Sequence, residues 1–337
     1  MSRKHIGVIY TGGTIGMTKT ARGYAPMPDF GTVLTQLLAG QGDSVPRVTL
    51  HVYPTPIDSS NATPADWQQV GRDIAAHYAD YDGFVVLHGT DTMAYTATAL
   101  SYMLKGLRKP VIVTGSQIPL TAARSDAAHN LIAALQLAAS DAINEVAIYF
   151  NQRLLRGNRA TKVSTERLTA FDSPNYPWLA EAGIGLCLNT QAMWPRAEQE
   201  CFDLPEYRST MVVPLRFAPG LPLSVVQSML DLKPQALILQ CYGAGNVPDR
   251  DPALLDMLGS ANERGTVLVA CSQSLHGAVA IGTYAAGAGM TAAGVVGARD
   301  MTFEAIYVKL HHLFALGLDA SEVRERFSHS LSGEVSA

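Results

Sequence analysis

The sequence His5-Ile-Gly-Val-Ile-Tyr-Thr-Gly-Gly-Thr-Ile-Gly16 joins a short apolar run to a loop of glycines and threonines. Runs of the same kind, rich in Val, Ile and Tyr, recur along the first half of the chain and alternate with longer helical patterns. This alternation is typical of βα units that build a parallel sheet. Because the runs are almost continuously apolar, we expect helices to cover both faces of that sheet.

The predicted strands of the first half are residues 5–10, 47–53, 83–88, 110–115 and 145–150. The predicted helices between them are residues 63–78, 92–105 and 125–139. Thr63 fits the N-cap, because a threonine side chain can accept a hydrogen bond from a backbone N–H of the first turn. Pro64 fits the first helical position, because the backbone N–H that proline lacks would have no partner within the helix.

A second series of alternating strands and helices is predicted after a proline-rich stretch without periodicity. Its predicted strands are 211–217, 236–242 and 266–271, and its predicted helices are 223–232, 251–262, 301–316 and 320–331. A chain of 337 residues suits two domains. We therefore predict an α/β protein with a larger N-terminal domain (1–188), which has a mainly parallel sheet and helices on both faces. A linker (189–210) then leads to a smaller C-terminal α/β domain (211–337) with a parallel sheet.

The composition of the chain limits the classes of function that it can have. The chain has 25 basic and 29 acidic residues, a net charge of -4 and no block of like charges, so we expect neither a nucleic acid nor a membrane as partner. Four scattered cysteines without a C-x-x-C pair favour free thiols in a reducing compartment. The apolar run near the N-terminus is too short for a secretion signal, and no window reaches the ~20 apolar residues of a membrane span. A cytoplasmic protein that acts on a small molecule is the resulting expectation.

In an open parallel sheet, ligands bind beyond the carboxyl ends of the strands. Four such ends carry loops rich in hydroxyls and glycines, namely residues 11–16, 58–60, 88–92 and 114–117. The first loop lacks the Lys-Ser/Thr of a phosphate-binding loop, since Met17 follows Gly16, and its glycine spacing does not match the dinucleotide fingerprint.

A threonine hydroxyl is a weak nucleophile until a neighbouring base or cation assists loss of its proton. Lys162, in Gly157-Asn-Arg-Ala-Thr-Lys162, is a candidate source of that assistance. Taken alone, Asp91 or Thr92 is equally explained as a helix cap, and a lone lysine is usually a solvated surface charge.

Two strings together resemble the signature motifs of the bacterial-type asparaginase/glutaminase family. They are Tyr10-Thr-Gly-Gly-Thr-Ile-Gly-Met17 and Leu87-His-Gly-Thr-Asp-Thr-Met93. Three further strings are similar to the cytoplasmic, type I branch, namely Thr114-Gly-Ser-Gln-Ile-Pro119, Arg156-Gly-Asn-Arg159 and Tyr242-Gly-Ala-Gly-Asn246. The resemblance extends over nearly the whole chain.

The resemblance implies that Thr14 is the acylated nucleophile and that Tyr24 assists it. Tyr24 lies in residues 18–29, which show no helical or strand periodicity, as expected of a lid over the substrate. Thr90, Asp91 and Lys162 match a second cluster that activates a hydroxyl or a water. Which threonine attacks first is open in such an arrangement, and we favour Thr14.

The resemblance also implies the residues that bind the substrate. Asp58, Ser59 and Ser60 match the loop that binds the α-carboxylate, with Ser59 the strongest match. Ser116 is expected to contribute near the carboxamide through its backbone. Asn246 is expected to approach the active site of another subunit in a homodimer or homotetramer. Backbone amides near Thr14 and Thr90 are expected to form an oxyanion hole.

The implied reaction is hydrolysis of L-asparagine to L-aspartate and ammonia, with no metal or organic cofactor required. Some type I relatives also have an activating site that uses an arginine and a cysteine. This chain carries Gln240 and Ser274 at those places, which argues against allosteric activation.

Three alternatives stay open at the level of sequence. The first is a mixed glutaminase-asparaginase. Glutamine is longer than asparagine by one methylene, and packing in a binding pocket discriminates such a difference by only about 1–3 kcal/mol. A tRNA-dependent amidotransferase subunit shares both motifs but normally carries an additional N-terminal domain. An inactive amino-acid-binding sensor on the same fold is the alternative from a different class.

Overall fold

A computed structural model describes residues 3–21, 23–207, 210–248, 252–281 and 285–336. They group into two compact units, Met1–Leu204 and Pro205–Ala337. The finer limits predicted from the sequence, with a linker over 189–210, stay a prediction. No helix among the described residues is long and apolar enough to span a bilayer.

The first unit is built on one large sheet. Its strands are β1 His5–Gly12, β2 Met17–Thr20, β3 Gly23–Pro26, β4 Arg47–Ile57, β5 Gly83–Leu87, β6 Val111–Thr114, β7 Val146–Phe150, β8 Arg153–Arg156, β9 Thr161–Lys162, β10 Phe171–Asp172, β11 Ala180–Ala182 and β12 Leu186–Leu188. Its α-helices are α1 Phe30–Ala39, α2 Pro64–Ala76, α3 Met93–Met103 and α4 Ala127–Ala138. The large sheet has the order β12-β11-β8-β7-β6-β5-β1-β4. Strands β4, β1, β5, β6 and β7 run parallel, whereas β8, β11 and β12 continue the sheet in antiparallel fashion.

The central strands are buried on both faces. Ile6 and Val8 of β1 share one apolar cluster with Leu34 of α1 and Leu131 of α4. Ile9 lies outside that cluster and is also buried, so the opposite face of β1 is covered as well. Helix α3 packs on β6 and β7, and α2 packs on α3. This arrangement explains the continuous apolar runs of the sequence, and the predicted fold class is confirmed for this unit.

Local signals fix where α2 begins. Thr63 and Asp66 form a capping box, in which each side chain binds the backbone N–H of the other residue, and Pro64 occupies the first turn. The predicted cap is therefore confirmed.

Residues 18–29 show no helical or strand periodicity in the sequence, yet most of them lie in two short strands. Strands β2 and β3 form an antiparallel hairpin in which Met17 pairs with Pro26 and Thr20 with Gly23. The strands are largely exposed, so they carry no apolar alternation that sequence can reveal. Gly23 has φ +110°, which favours glycine at this turn.

The second unit contains an entirely parallel four-stranded sheet. Its strands are β13 Val212–Arg216, β14 Ala236–Cys241, β15 Val267–Ser272 and β16 Val296–Gly297, in that spatial order. Its helices are α5 Leu223–Asp231, α6 Pro252–Glu263, α7 Ala285–Ala292, α8 Phe303–Ala315 and α9 Ala320–Phe327. Leu237 and Leu239 of β14 pack into one apolar cluster and Ile238 into another, so helices cover both faces. The predicted smaller α/β domain is confirmed, although the sequence misses β16 and α7, and the predicted helix start at Asp251 lies outside the described residues.

Candidate active site

Glycines bring three of the predicted loops into contact. Gly12 and Gly13, with φ of 137° and 90°, turn the chain sharply at the carboxyl end of β1. A Cβ on Gly13 would overlap the backbone of Gly89, and a Cβ on Gly89 would overlap the side chain of Ser59. The loops after β1, β4 and β5 are therefore packed together at one edge of the sheet, as the strand-end rule predicts.

Thr14 begins a single 3-10 turn, Thr14–Gly16, directly after these glycines. The turn is closed by a hydrogen bond from Gly16 N to Gly13 O at 3.1 Å and is anchored by the fully buried Ile15. Thr14 itself is half-buried. The residues on either side thus hold the backbone of Thr14 in place, while its side chain remains accessible to a ligand.

The second predicted cluster is assembled by direct hydrogen bonds. The Nζ of Lys162 donates to Thr90 Oγ1 at 2.8 Å and to Asp91 Oδ1 at 2.7 Å. Thr90 is buried, the Lys162 side chain is 19% exposed and the Asp91 side chain is 58% exposed. The ammonium therefore lies between a buried hydroxyl and a carboxylate that solvent or a ligand can reach.

His88 supports this loop from inside the protein, a role that the sequence reading missed. Its Nδ1 donates to Gly89 O at 2.7 Å, and Thr96 Oγ1 donates to its Nε2 at 2.9 Å. Burial lowers the pKa of the His88 imidazole, because the charged form loses its hydration. A neutral ring matches one donating and one accepting nitrogen. A histidine at a strand end, directly before the Gly-Thr-Asp loop, is the only sequence signal for it.

Asp58 organises the loop after β4. Its carboxylate accepts hydrogen bonds from Ser60 N at 3.1 Å and Asn61 Nδ2 at 3.1 Å, which caps the short turn Ser59–Asn61. Ser59 is buried, and its carbonyl accepts a hydrogen bond from Thr92 Oγ1 at 2.8 Å. Asp58 and Ser60 are exposed. The loop is thereby joined to the one that carries Thr90.

Ser116 lies in the loop after β6, at the same edge of the sheet. Its neighbour Gly115 packs on the carbonyl of His88, where a Cβ would overlap. Asn130 Nδ2 donates to Gly115 O at 3.0 Å. Ser116 is 1% exposed, and its hydroxyl has no hydrogen-bond partner among the described residues. An unpaired buried hydroxyl is costly, and the expected contribution of Ser116 through its backbone stays a prediction.

Tyr24 lies on β3, opposite Lys19 of β2, in the hairpin that follows the Thr14 turn. Met27 N donates to Gly16 O at 2.8 Å, which joins the base of the hairpin to that turn. Tyr24 is 58% exposed. Its contact with Thr14 therefore stays a prediction.

Asn246 belongs to the second unit, where Tyr242 and Asn246 exchange backbone hydrogen bonds around a glycine turn. Its side chain is exposed. The carbonyl of Gln240 accepts a hydrogen bond from Gln273 Nε2 at 2.8 Å, and Ser274 is exposed. These three residues are described within their own unit, and their roles stay predictions.

The fold and this candidate site define a class, that of two-domain α/β amidohydrolases, with the candidate site at the carboxyl edge of the larger, mainly parallel sheet. The chain belongs to the asparaginase family. Residues 5–194 match the family model described as Asparaginase, N-terminal, and residues 211–327 match the Glutaminase/Asparaginase C-terminal domain.

Individual relatives support the same assignment. The chain is 47% identical over 340 residues to L-asparaginase 1 of Escherichia coli (strain K12), covering 99% of each chain. It resembles the crystal structure of L-asparaginase I from Vibrio cholerae, with a TM-score of 0.92, 43% identity and full coverage of both chains. It also resembles the thermostable L-asparaginase from Thermococcus kodakarensis, with a TM-score of 0.89, 32% identity and 99% coverage of each chain. The predicted family, including its type I branch, is confirmed.

Proposed function

We propose that this protein is an L-asparaginase, which hydrolyses L-asparagine to L-aspartate and ammonia. The observation that carries the proposal is the position of the Lys162 ammonium, 2.8 Å from the Thr90 hydroxyl and 2.7 Å from the Asp91 carboxylate. The names of the relatives support the same substrate. An inactive sensor has no need for this charge arrangement.

The reaction proceeds by acyl transfer in two steps. The Thr14 oxygen attacks the side-chain carboxamide carbon of asparagine, its proton passes to the leaving nitrogen, and ammonia departs. The resulting aspartyl ester on Thr14 is then hydrolysed by water, which returns the hydroxyl and releases aspartate. Tyr24, on the hairpin next to the Thr14 turn, assists the first proton transfer.

Thr90, Lys162 and Asp91 form the second group of this mechanism. The positive charge of Lys162 stabilises negative charge that develops on the Thr90 oxygen or on a water bound there. Asp91 holds the ammonium in place and, being exposed, also binds the α-amino group of the substrate. Removing Asp91 therefore affects both substrate affinity and turnover.

Substrate recognition is assigned to the remaining loops. Ser59, supported by Asp58 and Ser60, binds the α-carboxylate, while Ser116 lies near the carboxamide. Backbone amides at the Thr14 and Thr90 loops stabilise the oxyanion. Asn246 of a second copy completes the site in a homodimer or homotetramer. The protein works in the cytoplasm, without a metal or an organic cofactor in its mechanism.

The test is ammonia release from L-asparagine and L-glutamine, measured side by side across substrate concentrations. Wild type is compared with Thr14→Ala and with Thr35→Ala, a matched control whose exposed hydroxyl bonds Gly31 O on α1. We expect rapid release from asparagine, loss of release in Thr14→Ala and no change in Thr35→Ala. Equal release from glutamine would revise the proposal to a mixed glutaminase-asparaginase, and release from neither amide would contradict it.

A further inference from the structure

Gln117 connects two parts of the active site and has no role in the mechanism described above. Its side-chain Nε2 donates to Thr165 O at 3.2 Å and to Arg167 O at 3.1 Å. Both carbonyls belong to the tip, residues 163–170, of the hairpin formed by β9 and β10. Lys162 is the last residue of β9. One side chain therefore joins the loop that carries Ser116 to the hairpin that carries Lys162.

This hairpin is too small to hold Lys162 by itself. Its ladder consists of two residue pairs, Lys162 with Phe171 and Thr161 with Asp172. Isolated hairpins are only marginally stable in water, even when longer than this one. At the base, Phe171 packs on Phe150 with ring centroids 5.1 Å apart. The base is thus anchored in the core, whereas the tip needs another attachment.

The tip is closed mainly on itself. Val163 N donates to Ala170 O at 2.8 Å, and Ser164 Oγ accepts a hydrogen bond from Arg167 N at 3.0 Å. Within the described stretch 23–207, the hydrogen bonds that join the tip to another element are the two from Gln117. A planar carboxamide with two N–H donors fixes both carbonyls at once.

Gln117 is itself held rigidly. Asp126, which is 6% exposed at the start of α4, accepts hydrogen bonds from Gln117 N at 3.0 Å and from Ile118 N at 2.9 Å. Asn130 Nδ2 also donates to Asp126 at 3.1 Å. The attachment of the tip therefore leads directly to a buried helix of the core.

We propose that Gln117 is a positioning residue, which fixes the β9–β10 hairpin so that the Lys162 ammonium stays within hydrogen-bond distance of Thr90 and Asp91. The inference rests on the proposed function, since it matters for catalysis only if Lys162 has the role assigned to it. A lysine has a flexible four-carbon stem, so its backbone must be fixed for its charge to remain in place. Neither Gln117 nor its two carbonyls need touch the substrate.

The first test uses Gln117→Ala and Gln117→Glu, assayed for ammonia release from asparagine. The glutamate keeps the length of the side chain but turns a carboxylate toward two carbonyl oxygens. We expect kcat to fall about ten-fold in each variant, because a displacement of about 1 Å at a catalytic group costs up to roughly a hundred-fold. KM should stay within about two-fold, since the binding loops are intact.

The matched control is Gln136→Ala, an exposed glutamine whose Nε2 also donates to a backbone carbonyl, Ser44 O at 3.1 Å. It should leave kcat unchanged, because it lies outside the described site. A second test repeats Gln117→Ala in a Lys162→Ala background. If Gln117 acts through Lys162, the second substitution should lower the residual rate by less than about two-fold. A full, multiplicative loss in that background would overturn the proposal.

Hydrogen exchange of the amides in 163–170 separates this inference from the proposed function. Exchange there should be faster in Gln117→Ala than in wild type, whatever the activity, whereas Gln136→Ala should match wild type. Unchanged exchange and unchanged kcat, in a wild type that does release ammonia, would overturn the inference alone. A wild type without ammonia release would instead contradict the proposed function, together with the catalytic consequence drawn from it.

Discussion

The backbone of Gly13 packs directly on the backbone of Gly89, with no side chain between them. This contact holds the turn of Thr14 against the loop of Thr90. Gly13 also has φ +90°, a conformation that side chains disfavour. Both its conformation and its surroundings therefore require glycine.

Gly13→Ala should reduce turnover strongly and destabilise the protein. A methyl group there must displace the Gly89 backbone, and with it Thr90, while the left-handed φ adds strain of about 1–3 kcal/mol. Ammonia release and urea unfolding measure the two effects. Gly185→Ala is the control, since a Cβ there meets nothing within 4 Å. A Gly13→Ala variant with wild-type activity would show that the two loops need not be in contact.

The sequence predicts the central strands and the edge of the sheet at which the candidate site lies. Other elements are recognisable only from their tertiary contacts. Strand β5 is buried at every residue, so its apolar run is unambiguous. Strands β2 and β3 are mostly exposed, and only their turn and cross-strand pairing define them. Propensity in such short exposed strands is overridden by context.

In the candidate site, too, the sequence predicts some features and leaves others unseen. Thr90 and Asp91 stand in a recognisable motif, but 72 residues separate Thr90 from Lys162, and no local pattern reveals that their side chains meet. The resemblance to a family supplies that pairing. His88 and Gln117 support the site through hydrogen bonds to backbone carbonyls, and the sequence does not reveal which carbonyls accept them.

Thr90→Val should lower kcat by at least about a hundred-fold while preserving the fold. Valine keeps the β-branched shape but removes the hydroxyl that accepts the Lys162 hydrogen bond at 2.8 Å, and groups that assist proton transfer contribute roughly 10²–10⁴-fold. Thr98→Val is a matched control, because the Thr98 hydroxyl in α3 is buried without a hydrogen-bond partner among the described residues. Activity should be retained in that control. Near-normal turnover in Thr90→Val would remove Thr90 from the mechanism.

Tyr24→Phe should reduce turnover more than stability. Tyr24 is 58% exposed, so loss of its hydroxyl should change the free energy of unfolding by no more than about 0.5 kcal/mol. Tyr53→Phe should show the opposite behaviour. The Tyr53 hydroxyl donates to Asp73 at 2.5 Å, so its removal should lower stability by about 1 kcal/mol and leave kcat unchanged. If Tyr24→Phe has an unchanged kcat, Tyr24 is not part of proton transfer.

Glu334→Gln should destabilise the protein at neutral pH by about 3 kcal/mol, because it leaves the ammonium of Lys309 buried without its counter-ion. The two side chains are fully buried, with Lys309 Nζ 2.6 Å from Glu334 Oε1. Burial alone raises the pKa of the Glu334 carboxyl, but attraction to Lys309 and hydrogen bonds from Lys309 and the backbone outweigh it, so that pKa is lowered. The pKa of a glutamate in the unfolded chain is about 4.3. As the pH is lowered, Glu334 is therefore protonated at a higher pH in the unfolded chain than in the folded protein.

The stabilising effect of the Glu334 carboxylate is thus complete above that unfolded value and disappears as the pH falls through the lowered folded pKa. Denaturant unfolding of wild type and Glu334→Gln from pH 7 to pH 3 should show a difference in free energy that shrinks toward the acid end. Asp43→Asn is the control, because that carboxylate is 97% exposed beside Arg3 and such surface pairs contribute about 0–1 kcal/mol. A difference that stays constant across the pH range would mean that the ionised state of Glu334 does not stabilise the fold.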